Sequence, residues 1–228
     1  MSEHENQPYN AQTLPLTLQL ADKITHIPLK RVFDILFSLA VIVLFLPVLF
    51  IIAVAIRLSS KGSIVYAHER IGRGGRPFHC YKFRTMFKDA EKRLNEILEK
   101  DPALRAEWEA THKLKNDPRV TPIGKILRKT SLDEFPQFWN VLIGDMSVVG
   151  PRPMVRDEII RRLGHRAKKI LSVRPGLTGI WQVSGRSNTS YTHRIHLDEL
   201  YVEKRSFWLD LKLVIKTIPC MIAAKGAY

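Results

Sequence analysis

From Ile35 to Ile56 the chain reads ILFSLAVIVLFLPVLFIIAVAI, without one charged residue, and no other stretch limits its folding so tightly. At about 1.5 Å per residue, a helix of that length covers a hydrocarbon core of roughly 30 Å. A membrane segment follows. Pro47 divides the run into about twelve and about nine residues, each suited to one leaflet, and a mid-helix proline breaks or kinks the ladder at about 3 kcal/mol. Lys23, Lys30 and Arg31 lie before the run, and Arg57, Lys61, Arg70, Arg73 and Arg76 after it. A kinked ordinary span fits the proline alone. A re-entrant helix-break-helix, entering and leaving one face, satisfies the proline and keeps both basic flanks in the cytoplasm.

The remainder has room for one catalytic-sized unit. Lys and Arg number 36 against 22 Asp and Glu, a net charge of +14, which suits polyanionic partners: nucleic acid, anionic lipid or phosphorylated substrates. Aromatics interleaved for base stacking are sparse, so nucleic acid is the least fitting of these. Cys80 and Cys220 are far apart and lack metal-ligand spacing, so neither a disulfide framework nor a zinc site is indicated. Residues 1–29 read as a flexible tail with no signal-peptide pattern, 30–60 as the membrane hairpin, and 61–228 as a cytosolic domain.

Within that domain, Ile64–Ala67 and Pro77–Arg84 read as two strands joined by the basic glycine-rich turn Arg70–Arg76. Period two puts Lys82 and Arg84 on one face, either to hold phosphates or to form a solvated edge. Residues 86–115 suggest two charged surface helices. Asp157–Ser172 suggests a single basic amphipathic helix, and Ile180–Val183 a strand after the turn Arg174–Gly179. The acids Asp198, Glu199 and Glu203 on the helix Tyr191–Glu203 read as surface pairs with His193, Arg194 and Lys204. Residues 206–224 fit a helix in the headgroup plane about as well as a buried one.

The stretch most suggestive of chemistry is Thr130-Ser131-Leu132-Asp133-Glu134-Phe135-Pro136-Gln137. Ser131 and Glu134 have capping-box spacing, and an apolar helical pattern follows through Phe138, Trp139 and Leu142. Acids in a first turn are ordinary capping residues. Here, however, Lys125, Arg128 and Lys129 precede them, and Gly150-Pro151-Arg152-Pro153 follows, where two prolines restrict the backbone around one guanidinium. Carboxylates among fixed cations suit a metal and a diphosphate.

Four motifs, Lys82–Met86, Leu127–Glu134, Gly144–Pro153 and Arg174–Gly179, together and in this order, resemble the bacterial sugar transferase family, the monotopic phosphoglycosyl transferases. The resemblance extends from Lys30 to the C-terminus and is strongest to exopolysaccharide-initiating members that place galactose or glucose 1-phosphate on undecaprenyl phosphate. It implies an α+β fold: a monotopic membrane protein with the re-entrant hairpin, a small α/β catalytic domain and interfacial amphipathic helices. It further implies that Asp133 attacks the sugar-linked phosphorus of a UDP-sugar, with Glu134 as second acid and Mg2+ as cofactor held by both. Arg128 falls on the family's phosphate-binding arginine, and Lys82, Arg152 and Arg186 on positions lining the nucleotide and phosphate pocket. Arg84 and Asp198 are placed with the substrate-binding residues, and Pro47 with the helix-breaking proline. Leu46 stands where the family often has Ser before the break. The implied setting is the bacterial inner membrane with the catalytic domain facing the cytoplasm. Its implied partners are membrane lipids, downstream glycosyltransferases and, with oligomeric state left open, a second copy in a homodimer. The competing class is a membrane-anchored basic binding or scaffold protein without catalysis.

Overall fold

The computed structural model describes residues 28–111, 114, 116–184 and 190–222; the expected N-terminal tail up to residue 27, and Arg186, lie outside them. Helix α1 spans Pro28–Ser59 and is long and apolar enough to cross a membrane. Helical conformation continues through Pro47 instead of stopping there. The proline ring's fixed φ is compatible with a helix, so the local costs are the missing N–H and the crowding of its ring against the carbonyl one turn earlier, and the apolar residues on either side carry the helix past it. Leu36, Val43, Leu44, Phe50 and Ile51 are exposed on its outer side. Each would forfeit roughly 1.5–3 kcal/mol in water compared with burial, which fits a lipid-facing surface.

The opposite side of α1 is not lipid-like. Ile52 and Ile56 are buried with Phe83, Leu127 and Phe135, and Phe45 meets Phe135 edge-on at 5.1 Å. At the other end, Phe33 and Phe37 pack onto a central cluster of Val141, Met146, Val148, Val149, Tyr201 and Leu213. Both ends of α1 therefore dock onto the same globular body.

Strands β1 (Val65–Ile71) and β2 (Pro77–Phe83) form the expected antiparallel hairpin, with Ile71 opposite Pro77 and Val65 opposite Phe83. Its tip turns through Gly74 and Gly75, at φ 70° and 79°, a backbone state that glycine adopts without a Cβ penalty. Helices α2 (Ala90–Lys100) and α3 (Pro102–Thr111) pack together as the two charged helices foreseen. Helix α4 (Pro122–Thr130) begins at Thr121, whose hydroxyl accepts from the Gly124 N–H at 3.0 Å. A Cβ on Gly124 would fall 2.1 Å from the Thr85 carbonyl oxygen. Gly124→Ala is therefore expected to push α4 off the end of β2 and to unfold or inactivate the protein, read by the loss of a cooperative thermal transition near the wild-type Tm.

After α4 come a short 3-10 turn, Leu132–Glu134, helix α5 (Gln137–Ile143) and strand β3 (Ser147–Val149). Gly144, at φ 98°, ends α5 in the left-handed C-cap geometry. Helix α6 (Arg156–Arg162) is separated from α7 (Ala167–Ile170) at Gly164 (φ 52°), so the single helix expected over Asp157–Ser172 is two pieces. A second correction concerns the strand expected at Ile180–Val183. Strand β4 is Gly176–Thr178, parallel to β3, and Ile180–Val183 is the short helix α8. The reason is close backbone approach: a Cβ on Gly176 would lie 2.0 Å from the Gly150 nitrogen, so pairing occurs where the glycines are. Helices α9 (Tyr191–Lys204) and α10 (Phe207–Ile222) complete the fold. Trp208, Ile215 and Ile218 of α10, Trp139 and Ile143 of α5 and Ile126 of α4 are exposed, while Leu213 of α10 is buried. Helix α10 thus carries one buried and one exposed apolar side.

Candidate active site

The acidic pair sits on the 3-10 turn between α4 and α5. Ser131, the one described non-glycine residue with positive φ (58°), ends α4 and opens the turn, and its side chain makes no cap bond. The capping box expected from Ser131 and Glu134 does not form, because the left-handed backbone at Ser131 serves as a C-cap. The consequence is that Asp133 points inward, 9 % exposed, while Phe135 behind it anchors the turn in the core against α1.

Strand β2 supplies the first cation. Lys82 Nζ donates to Glu134 Oε1 at 2.6 Å. Burial alone would lower its pKa, but Glu134 and Asp133 outweigh that and hold it above the ordinary lysine value. Arg128 reaches the turn from α4, with Nε donating to Thr85 Oγ1 at 2.9 Å. Asp133 is pushed up to about 6, mainly by burial and further by Glu134, while Lys82 and Arg128 oppose the rise. Asp133 is thus a carboxylate removed from water, next to two cations, and poised to ionise near neutral pH.

Asn140 fixes the distance between these parts, and the sequence reading overlooked it. Fully buried, it accepts from the Tyr81 N–H at 3.0 Å through Oδ1 and donates to the His79 carbonyl at 2.7 Å through Nδ2. Its amide thus pairs with the β2 backbone as a neighbouring strand would. A buried Asn in an apolar helix face is the signal that could have found it.

Arg152 is exposed beyond β3, with its guanidinium carbon 5.6 Å from the Trp181 ring centre; Arg194 stands 5.2 Å from the same ring. Arg70 on β1 is close enough to Arg152 for mutual repulsion. Arg70 and Lys82 lie on the same face of the hairpin as Cys80, and Glu134 and Arg152 are near enough to act on its thiol. Burial pushes the Cys80 thiol up to about 11, so it is no thiolate nucleophile at neutral pH.

Three other expectations change on the structure. Strand β2 ends at Phe83, and Arg84 parts from Lys82: its guanidinium donates to the Ser60 carbonyl (2.7 Å) and Ser60 Oγ (2.9 Å), capping the end of α1. Asp198 is not a surface pair but buried, 5 % exposed, where desolvation raises it to about 8 against the opposing pull of Arg152. Glu199 and Glu203 do form ion pairs, but with Arg166 at 3.7 Å and with Lys169. Contacts with the 3-10 turn Gly164–Arg166 and with α7 override the local sequence neighbours.

Among the described residues no group of three His, Cys, Asp or Glu side chains comes together. The protein's own oxygen donors at the turn are therefore two carboxylates, a set that fits Mg2+ when substrate phosphates and water complete an octahedron.

The family model for bacterial sugar transferases matches residues 25–224. The chain belongs to the bacterial sugar transferase family. Relatives of this sugar transferase include a UDP-galactose-lipid carrier transferase of Erwinia amylovora, 47 % identical over 88 % of this chain and 42 % of the relative. The exopolysaccharide production protein ExoY of Rhizobium meliloti is 46 % identical over 87 % of this chain and 88 % of its own length. An undecaprenyl-phosphate galactose phosphotransferase of Salmonella typhimurium is 44 % identical over 88 % of this chain and 42 % of its own. The bacterial sugar transferase described here thus spans less than half of the first and last of these, and nearly all of the second.

Proposed function

We propose that this sugar transferase moves hexose 1-phosphate from a UDP-sugar to undecaprenyl phosphate in two steps, opening an exopolysaccharide repeat unit. In the first, an Asp133 carboxylate oxygen forms a bond to the sugar-linked phosphorus, and the bond from that phosphorus to the bridging oxygen breaks, releasing UMP. In the second, a phosphate oxygen of undecaprenyl phosphate attacks the same phosphorus, and the Asp133 carboxylate leaves unchanged. The product is undecaprenyl diphosphate hexose. The observation that carries this reading is a buried aspartate on a tight turn, flanked by Lys82 and Arg128 and raised to about 6. A surface capping acid has none of these features, nor does a scaffold protein need them.

Charge is the main obstacle to attack by an anion on a diphosphate. Lys82, Arg128 and Arg152 supply fixed positive charge around the phosphates without reorganisation cost. Bound Mg2+, held by Asp133 and Glu134, would add charge neutralisation of the diphosphate. Dividing the transfer in two lets a water-soluble donor and a lipid acceptor use one site in turn.

The site also belongs at a bilayer surface. Both ends of α1 dock on the catalytic body, which supports an α1 that enters and leaves one face of the membrane with its helical conformation continuing through Pro47. The exposed apolar residues of α4, α5 and α10 fit the headgroup plane, as expected of interfacial helices. In this reading the domain faces the cytoplasm at the inner membrane, where nucleotide sugars are available.

A ping-pong enzyme exchanges its first product without the second substrate. Radiolabelled UMP should enter UDP-galactose or UDP-glucose with purified protein and no undecaprenyl phosphate; exchange that appears only with the lipid would indicate direct transfer. The rate of the same exchange is expected to fall about tenfold per pH unit below about pH 6, as Asp133 takes up its proton. Glu134→Gln removes a neighbouring negative charge and should move that midpoint down, a shift read from the exchange profile between pH 5 and 8.

A further inference from the structure

Three polar residues interrupt the apolar surface of α1 at helical spacing: Lys30, Asp34 and Ser38. With i, i+4, i+8 spacing they share one face, and that face meets the protein. Asp34 is 1 % exposed and Ser38 fully buried. Asp34 Oδ1 accepts from Ser147 Oγ and from the Val148 N–H, both at 3.0 Å. One turn earlier, Lys30 Nζ donates to the Val149 carbonyl at 3.1 Å and to Asp210 at 2.5 Å. Tyr201 completes the cluster: its hydroxyl, with one proton to give, lies 2.9 Å from the same Val149 carbonyl and 2.8 Å from Asp210 Oδ1. All three residues of β3 are therefore held by side chains from the start of α1 and from α9.

Strand β3 needs such support. It has three residues and, among the described residues, a single strand neighbour, β4, on which two residue pairs fix the register. An isolated pair of this length is marginal. Yet β3 runs directly into Gly150-Pro151-Arg152. That junction is tightly seated: the Gly150 N–H donates to Thr178 at 2.9 Å, the Gly176 N–H donates to Pro151 at 2.7 Å, and a Cβ on Gly150 would lie 2.6 Å from the Arg174 carbonyl oxygen. A shift of β3 cannot be absorbed there and passes on to Arg152. Arg31, next to Lys30, donates to the Val141 and Leu142 carbonyls at 2.6 and 2.8 Å, tying the same turn of α1 to the end of the helix that follows the acidic turn.

We infer that Asp34 is a positioning residue: by holding β3 against the first turns of the membrane helix, it sets where Arg152 stands relative to Asp133, so that substrate phosphate binding depends on the seating of α1. The inference rests on the reading of Arg152 as a phosphate ligand. Asp34 touches no substrate and acts through the backbone of residues 147–152.

The test compares Asp34→Asn, which keeps an oxygen acceptor at the same place, with Asp34→Leu, which does not, in the full chain reconstituted in lipid nanodiscs. The readouts are KM for UDP-galactose or UDP-glucose, kcat, and hydrogen exchange of residues 147–154. Asp34→Leu should raise KM about tenfold with kcat changed by less than about threefold, and speed exchange of residues 147–154 while that of β1 is unchanged; Asp34→Asn should behave like the wild type. Wild-type KM and exchange in Asp34→Leu would overturn the inference, as would equal impairment in both variants. Should Asp34→Leu not fold, Ser147→Ala removes one of the two donors without burying new bulk. A KM rise of about threefold with faster exchange of residues 147–154 supports the inference, and no change in either overturns it. If the wild-type protein turns over no UDP-sugar, the proposed activity fails, while the exchange comparison still decides the positioning role.

Discussion

Asp133→Asn is expected to lower sugar phosphate transfer by at least about 10³-fold, equivalent to roughly 4 kcal/mol of transition-state stabilisation. The amide is nearly isosteric but cannot attack phosphorus. The same change should leave the protein folded and, at pH 7, more stable than the wild type. The sign follows from Asp133 being raised to about 6 in the folded protein. An acid with a raised folded pKa contributes stability below its unfolded value near 4 and loses it as pH climbs through 6. Asparagine carries no such loss, and the thermal midpoint at pH 7 should rise by up to about 5 °C. An inactive but stabilised variant separates a group retained for chemistry from one retained for folding.

The second large effect is expected at Lys82. Its ammonium lies 2.6 Å from Glu134 and is among the charges that pull Asp133 toward ionisation. Lys82→Met keeps most of the stem that lies along β2 but leaves two adjacent carboxylates with one fewer cation. Transfer should fall about 10²-fold, roughly 2.7 kcal/mol. The pH midpoint of UMP exchange should also move upward, because the group that lowers Asp133 is gone. Arg84→Met, two residues further on, provides the contrast. Arg84 caps α1 at Ser60 and is not paired with either acid, so its loss should act on stability and leave the pH midpoint in place. A steady-state comparison across pH 5 to 8 reads both.

Much of this was legible in the sequence because it rests on local patterns. An uncharged run of this length between basic residues reads directly as a helix long and apolar enough to cross a membrane. The hairpin follows from two β-rich segments around glycines, and the adjacent acids announce themselves among cations. What escaped is what long-range packing decides. Ser131 has the right spacing for a capping box, yet α4 ends there in a left-handed turn, which spacing alone does not reveal. Ile180–Val183 has strand composition but lies beside the point where Gly150 and Gly176 meet, and backbone proximity draws the pairing upstream to residues 176–178. Asp198 looked like one of several surface acids because the helix Tyr191–Lys204 carries charge all round, and burial against Arg152 is invisible in the chain. Asp34 escaped for a similar reason: it stands one residue before the uncharged run and reads as its boundary, although it is wholly buried against β3.

The central claim is that Asp133 becomes covalently bonded to phosphorus. Purified wild-type protein is mixed with UDP-galactose or UDP-glucose in the absence of undecaprenyl phosphate, quenched and digested, and its peptides are weighed. The peptide containing residues 130–137 is expected to gain the mass of one hexose phosphate at Asp133, and the adduct to disappear when undecaprenyl phosphate is added before quenching. A protein that releases UMP and forms the lipid product while that peptide stays unmodified, or that carries the adduct on another residue, would contradict it.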